Sequence, residues 1–416
     1  MFAFVADATE GGLYPVHAVA FEAETERRGE RGDVEVALAA AEEDRAGVRH
    51  NVAAADRCLS IGHHVIDPQG ARRSELLGLL LRFGESSHHE GVEYAESGRE
   101  VVYPSPGYPL YESFIPYFCA TPVPMLLREE DGFGLTRDAL EPLLGDRTAL
   151  IFLNFPSNPT GSVATRAQLE EAAGLILERT GPNVRVYSDE SYEAIGFDGH
   201  KHVSIASIPG MESRTIIASG CSKTYSWTGG RVGWAVYPTA REAQMARRLS
   251  INHFASISPY NQWAAIEALQ SPLSAPAIDE MVKGFQHRRD IVVDGLNAID
   301  EFRCNRPQGA FYAFPNVGGA IDRLGAAEAH ARLPEEVRRD SSPATLFQLF
   351  LLNEYRVATM DRRSFNVAGS EGQHYLRLST ATSQGDLEES VRRMAAAAAD
   401  EAGFQRFVAS GARLTL

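Results

Sequence analysis

Gly220-Cys221-Ser222-Lys223-Thr224-Tyr225-Ser226-Trp227-Thr228-Gly229-Gly230-Arg231-Val232-Gly233 decides how the rest of this chain is read. A lysine stands among small residues, and an arginine follows eight positions later, shortly before a glycine. A primary amine there can condense with an aldehyde, and a guanidinium can clamp a phosphate. Alone, the segment suits a surface Gly-rich turn equally well. Its partners along the chain settle the choice.

Working outward, Thr215-Ile216-Ile217-Ala218-Ser219 is an apolar run that feeds the lysine. Ala149-Leu150-Ile151-Phe152-Leu153-Asn154 is another, Val184-Arg185-Val186-Tyr187-Ser188-Asp189 reads as the next strand and ends in a carboxylate, and Arg166 to Thr180 between them has helical spacing. Strands alternating with helices predict βαβ units and a mainly parallel sheet, whose ligands sit outside the carboxyl ends of the strands. Residues capable of chemistry stand at those ends. Asp189 can pair with a pyridine nitrogen and Tyr192 with a ring hydroxyl, although Asp189-Glu190 also suits a helix N-cap. Asn158, in a Pro-rich turn, can donate to the same hydroxyl. Tyr108, in Pro104-Ser105-Pro106-Gly107-Tyr108, can stack on a ring or simply pack. Gly70-Ala71-Arg72 opens a predicted helix and offers backbone N–H groups to a phosphate, alongside Ser222 and Arg231. Arg377, in Tyr375-Leu376-Arg377-Leu378-Ser379, can grip a carboxylate or form a surface ion pair.

The 416 residues are 44% hydrophobic and 23% charged, as in a globular enzyme. No apolar run reaches the roughly 20 residues that span a bilayer, and the start of the chain lacks the pattern of a signal peptide. The net charge of −15 is spread along the chain and argues against nucleic acid or an anionic membrane as partner. Cys58, Cys119, Cys221 and Cys304 lie far apart, as reduced thiols of a cytoplasmic protein would. His63-His64 and His88-His89 have no third ligand at metal-binding spacing, so no metal is expected.

The ordered set Tyr-Pro-Ser-Pro-Gly-Tyr-Pro (103–109), Asn-Phe-Pro-Ser-Asn-Pro-Thr-Gly (154–161), Ser-Asp-Glu-Ser-Tyr (188–192), Ser-Lys-Thr-Tyr (222–225), Gly-Gly-Arg-Val-Gly (229–233), Pro-Gln-Gly-Ala-Phe-Tyr (307–312) and Tyr-Leu-Arg-Leu-Ser (375–379) resembles the class I/II aminotransferases of the pyridoxal-phosphate fold-type-I family. The resemblance implies an α/β fold, with a large domain built on a mostly parallel seven-stranded sheet, a smaller α+β C-terminal domain, and a homodimer. It implies pyridoxal 5'-phosphate held by Lys223 as a Schiff base, with Asp189 on the pyridine nitrogen and Asn158 and Tyr192 on the phenolic oxygen. It further implies Tyr108 stacked, Ser222 and Arg231 on the phosphate, and Arg377 on the α-carboxylate of an amino-acid substrate. The expected divisions are an N-terminal arm over 1–55, a cofactor domain over 56–290 and a small domain over 291–416. The stretch 321–343 reads as a solvated excursion.

Four departures leave the reaction open. The Tyr…Gly-x-x-x-Leu-Arg stretch is missing from the N-terminal third, and 84–100 is lengthened. Met360-Asp361-Arg362-Arg363-Ser364-Phe365 stands where a Pro-Gly-x-x-Phe loop is expected. Trp227 and Gly220 replace a smaller apolar residue and a hydroxyl residue beside the lysine. Transamination is the leading expectation. The rival is elimination, replacement or cyclisation, for example on S-adenosylmethionine, with room for a larger substrate or a second cosubstrate. A non-catalytic regulatory protein is a further alternative, opposed by the intact Lys223, Asp189, Arg231 and Arg377.

Overall fold

The computed structural model describes residues 98–254 and 257–411, all within one compact unit, Arg45–Leu416. Gly70, Ala71, Arg72, both histidine pairs, Cys58 and the lengthened stretch up to residue 97 lie outside the described residues.

The main sheet contains β1 (Glu100–Ser105), β2 (Thr121–Leu126), β3 (Thr148–Asn154), β4 (Arg185–Asp189), β5 (Thr215–Gly220) and β6 (Gly233–Val236). Their order is β2-β1-β3-β4-β5-β6. The pairs from β2 to β5 are parallel, and β6 closes one edge antiparallel. The described residues thus supply six strands of the expected sheet. β3, β4 and β5 are buried along their whole length, which is why β3 and β5 carry continuous apolar stretches rather than an alternating pattern.

Side chains alternate between the two faces. Val102, Ile151, Leu153 and Val186 join one core with Leu169, Ala172 and Ile176 of the Arg166–Arg179 helix. Val101, Leu150, Phe152, Tyr187 and Ile216 join another with Tyr111 and Ile115 of the Leu110–Tyr117 helix. A Thr165/Gln168 capping box starts the first of these helices. The sheet order reverses at β1 and β3, so a crevice opens there beyond the strand ends.

A second sheet joins β7 (Tyr312–Ala313), β8 (Met360–Asp361) and β9 (Leu376–Ser379) in the antiparallel order β7-β9-β8. Its core gathers Leu376 and Leu378 with Phe347 and Phe350 of the Pro343–Tyr355 helix, Met394 of the Gln384–Ala399 helix and Phe404. The 321–343 stretch differs from expectation. Ile321, Leu324, Ala326 and Ala329 are buried in this core, and only the Glu335–Arg339 helix has no buried residue. Its dense charges face outward on short helices whose small apolar residues face in. Among the described residues, no helix is long and apolar enough to cross a membrane.

Candidate active site

The ends of three adjacent strands meet. Asn154 pairs in register with Asp189, and Asp189 with Ala218. Asp189 is buried, and its Oδ1 accepts from the Ser191 backbone N–H at 3.2 Å and from the Ser191 hydroxyl. No helix begins there, so the carboxylate closes a turn and the N-cap alternative falls away. Asn154 Nδ2 donates to the Asp189 carbonyl at 3.1 Å, while its Oδ1 accepts from the Asn158 N–H at 2.9 Å. One strand-end amide therefore ties Asp189 to Asn158.

Arg377 arrives from the second sheet. Its neighbours Leu376 and Leu378 are buried in the small core, so strand alternation turns Arg377 to the opposite face. Nη1 donates to Asn158 Oδ1 at 3.0 Å, and Nη2 approaches Met360 Sδ at 3.1 Å. The guanidinium carbon lies 4.5 Å from the Tyr312 ring centre and 4.8 Å from that of Phe365, a range in which cation–π attraction fixes its plane. Nε is buried with no hydrogen-bond partner among the described residues.

Tyr312 continues the chain of contacts. Its hydroxyl is 2.8 Å from that of the fully buried Tyr192. Lys223 Nζ lies 5.9 Å from the Tyr192 ring centre and 5.3 Å from that of Phe311. Lys223 sits on the one-turn helix Cys221–Thr224 directly after β5. Beside it, Ser222 is 3% exposed and its Oγ has no hydrogen-bond partner among the described residues. Arg231 follows a turn in which its own φ is 55°, and its Nη1 donates to the Thr228 carbonyl.

Trp227, one of the departures, packs. A Cβ on Gly230 would fall 2.2 Å from the Trp227 ring, and the indole joins a cluster with Cys221, Val232 and Ala265. Tyr108 meets Tyr111 edge-on at 5.8 Å. The turn before it requires Gly107, where a Cβ would lie 2.1 Å from the Pro104 carbonyl oxygen.

Beneath the strand ends, fully buried Glu190 meets His202 Nε2 at 2.9 Å and accepts from Ser188 and Ser204. Burial would raise the Glu190 pKa, but the charge of His202 and these donors bring it below the usual range. Burial would lower that of His202, and the Glu190 charge lifts it above the ordinary value.

The model of the family "Aminotransferase class I and II" matches residues 91–394. The chain belongs to that family. An aspartate aminotransferase of Rhizobium meliloti (strain 1021) is 33% identical over 304 residues, covering 73% of this chain and 69% of the relative. An aspartate aminotransferase of Geobacillus stearothermophilus is 31% identical over 379 residues, covering 86% and 90%. The crystal structure of an aromatic aminotransferase from Pyrococcus horikoshii OT3 superimposes with a TM-score of 0.65 at 31% identity, covering 84% of each chain. This aminotransferase is therefore a transferase, of a family whose members depend on pyridoxal phosphate. These relatives give no support to the elimination or cyclisation alternative.

Within this aminotransferase, sequence reasoning assigned no role to Phe311, Tyr312, Ser191, Met360 or Phe365. Phe311 and Tyr312 lie in the Pro-Gln-Gly-Ala-Phe-Tyr motif (307–312), so the signal is present in the sequence. Ser191 lies in one too, beside Asp189. Met360 and Phe365 belong to the departing loop, and only the fold carries them to Arg377.

Proposed function

We propose that this site binds pyridoxal 5'-phosphate and exchanges an amino group between an α-amino acid and an α-keto acid. The carrying observation is the contact path from Lys223 through Tyr192, Tyr312, Arg377, Asn158 and Asn154 to Asp189. It brings an amine, a guanidinium and a carboxylate to one end of the sheet. Ser222 Oγ and Arg377 Nε are buried without hydrogen-bond partners among the described residues, and buried polar atoms seek hydrogen bonds. A phosphate and a carboxylate would satisfy them, so these residues fit the cofactor and its substrate.

In this reading Lys223 holds the cofactor and then moves the substrate α-proton as general base. Asp189 keeps the ring nitrogen protonated, Asn158 and Tyr192 hold the phenolic oxygen, and Tyr108 lies against the ring. Ser222 and Arg231, with the Gly70-Ala71-Arg72 turn, hold the phosphate. Arg377 orients the substrate carboxylate. When bound, the cofactor supplies the electron sink that a carbanion at the substrate Cα needs.

The names of the relatives point to aspartate, aromatic amino acids and prephenate as the substrate classes to try first. The domain division proposed at 290/291 falls inside the Ser274–Asn297 helix. Its Phe285 joins the cluster around Tyr192, and its Val292 and Leu296 join the C-terminal core. A homodimer is part of the proposal, supported by the apolar face that Tyr260, Trp263, Ile266, Leu269 and Leu273 expose on and beside the Pro259–Gln270 helix. Sedimentation equilibrium reads it directly.

The deciding experiment follows visible absorbance and amino exchange in the purified protein after cofactor addition, using panels of amino acids and keto acids. Wild type should show the lysine-bound cofactor band and keto-acid-dependent exchange, and Lys223→Ala should lose both. A wild type that takes up no cofactor would overturn the reading.

A further inference from the structure

We propose that Arg362 and Glu112 form a positioning clamp that holds the Tyr108 turn and the Phe365 side of the Arg377 site as one unit. The role of that unit rests on the site reading given above. The two residues grip the backbone strip 365–368 with opposite charges. Arg362 is 2% exposed; its Nη1 donates to the carbonyls of Phe365 at 3.1 Å and Asn366 at 2.7 Å. Its Nη2 donates to Ser105 Oγ at 3.0 Å and the Ala368 carbonyl at 3.4 Å. Glu112, on the Leu110–Tyr117 helix, accepts from the backbone N–H groups of Val367 and, at 2.9 Å, of Ala368. The strip thus turns carbonyls to a cation and amides to an anion.

Three further hydrogen bonds join the strip to the turn before Tyr108. Gly107 N–H donates to the Phe365 carbonyl at 3.2 Å, Asn366 Nδ2 to the Pro104 carbonyl at 2.9 Å, and Ser105 Oγ to the Ala368 carbonyl at 2.6 Å. One end of this network is Tyr108, the next residue after Gly107. The other is Phe365, whose ring centre lies 4.8 Å from the Arg377 guanidinium carbon. Only an arginine presents a planar fork of donors able to take several diverging oxygens from one buried position. The segment that departs from the family pattern is therefore a brace across the crevice. Ring stacking and carboxylate gripping are held in one geometry by a residue outside both.

The test compares wild type, Arg362→Met, Arg362→Lys and Glu112→Gln as full-length protein. Hydrogen exchange read by mass spectrometry is measured without added cofactor, and steady-state kinetics with it. In Arg362→Met, peptides covering 103–109, 361–368 and 375–380 should lose protection together. KM for amino acid and keto acid should rise with little change in kcat, lowering kcat/KM about tenfold to a hundredfold, the latter being the cost of a misplacement of about 1 Å. Arg362→Lys should recover only part of this, because an ammonium lacks the fork, and Glu112→Gln should shift the same readouts less. Loss of protection confined to 361–368 with unchanged KM would overturn the clamp. If Arg362→Met fails to fold, Glu112→Gln decides: unchanged exchange at 103–109 and unchanged KM would overturn it. The exchange arm needs no cofactor, so it judges the clamp even where a wild type without cofactor uptake has refuted the site reading.

Discussion

Arg377 Nη1 donates to Asn158 Oδ1 at 3.0 Å, joining a strand of the small sheet to the turn after β3. Asn158 is in turn fixed by Asn154, whose other amide atom holds the Asp189 carbonyl. The Arg377 guanidinium and the backbone of Asp189 are thus linked through two asparagines. Displacing either end must be felt at the other.

Arg377→Met should lower kcat/KM for amino acid and keto acid alike by about 10- to 150-fold, the equivalent of about 1.5–3 kcal/mol for hydrogen bonds to a charged group. Steady-state kinetics in both directions of exchange checks this. An effect confined to one of the two substrates would contradict a shared carboxylate grip.

Ser222→Ala separates cofactor binding from folding. Because the buried Ser222 Oγ has no hydrogen-bond partner among the described residues, its removal should leave the cofactor-free Tm unchanged or slightly higher. Affinity for pyridoxal phosphate should fall about tenfold, for the loss of one hydrogen bond to a charged group. Titration followed by absorbance, beside a melting curve of the apo form, gives both values.

The Glu190–His202 pair sets a pH dependence of stability. His202 has its folded pKa raised, so its contribution is full below its unfolded value of about 6.5 and fades as pH climbs through the folded one. Glu190 has its pKa depressed, so its contribution is full above about 4.3 and fades as pH falls through the folded value. The stability lost in His202→Gln, about 3–5 kcal/mol for one half of a buried pair, should be greatest between these limits and shrink in alkali. Melting curves of both proteins across pH check it; a constant Tm difference would refute it.

Gly230→Ala should destabilise the protein by about 1–3 kcal/mol through overpacking, since its Cβ meets the Trp227 ring. Combining it with Trp227→Ala should relieve part of that cost in a double-mutant cycle. Trp227→Phe should leave the ratio of kcat/KM between aspartate and phenylalanine unchanged, as expected of a packing side chain. Denaturant melts and kinetics on the same preparations read both effects.

Much of the candidate site was legible because its residues sit at punctuation points of the chain. β3 and β5 announce themselves as apolar runs and β4 as a short strand between them, and Asn154, Asp189 and the lysine segment stand where these strands stop. Parallel strands in register then bring the stops together without further instruction. Phe311 and Tyr312 were harder, because an aromatic pair at the start of a short strand reads the same whether it packs or faces a ligand. The 321–343 stretch reads as solvated because its charges outnumber the few apolar residues, Ile321 and Leu324 among them, that enter the core.

The sequence by itself determined the alternation of strands and helices, the lysine, and the arginine of β9, because each depends on local pattern and residue chemistry. The tertiary structure alone decided what Trp227 and the 360–366 segment do. Trp227 covers a glycine three residues away, and Arg362 satisfies a backbone strip together with Glu112, a residue some 250 positions earlier. Such roles come from which unpaired carbonyls and amides meet a buried charge. That meeting exists only once the two sheets are folded against each other.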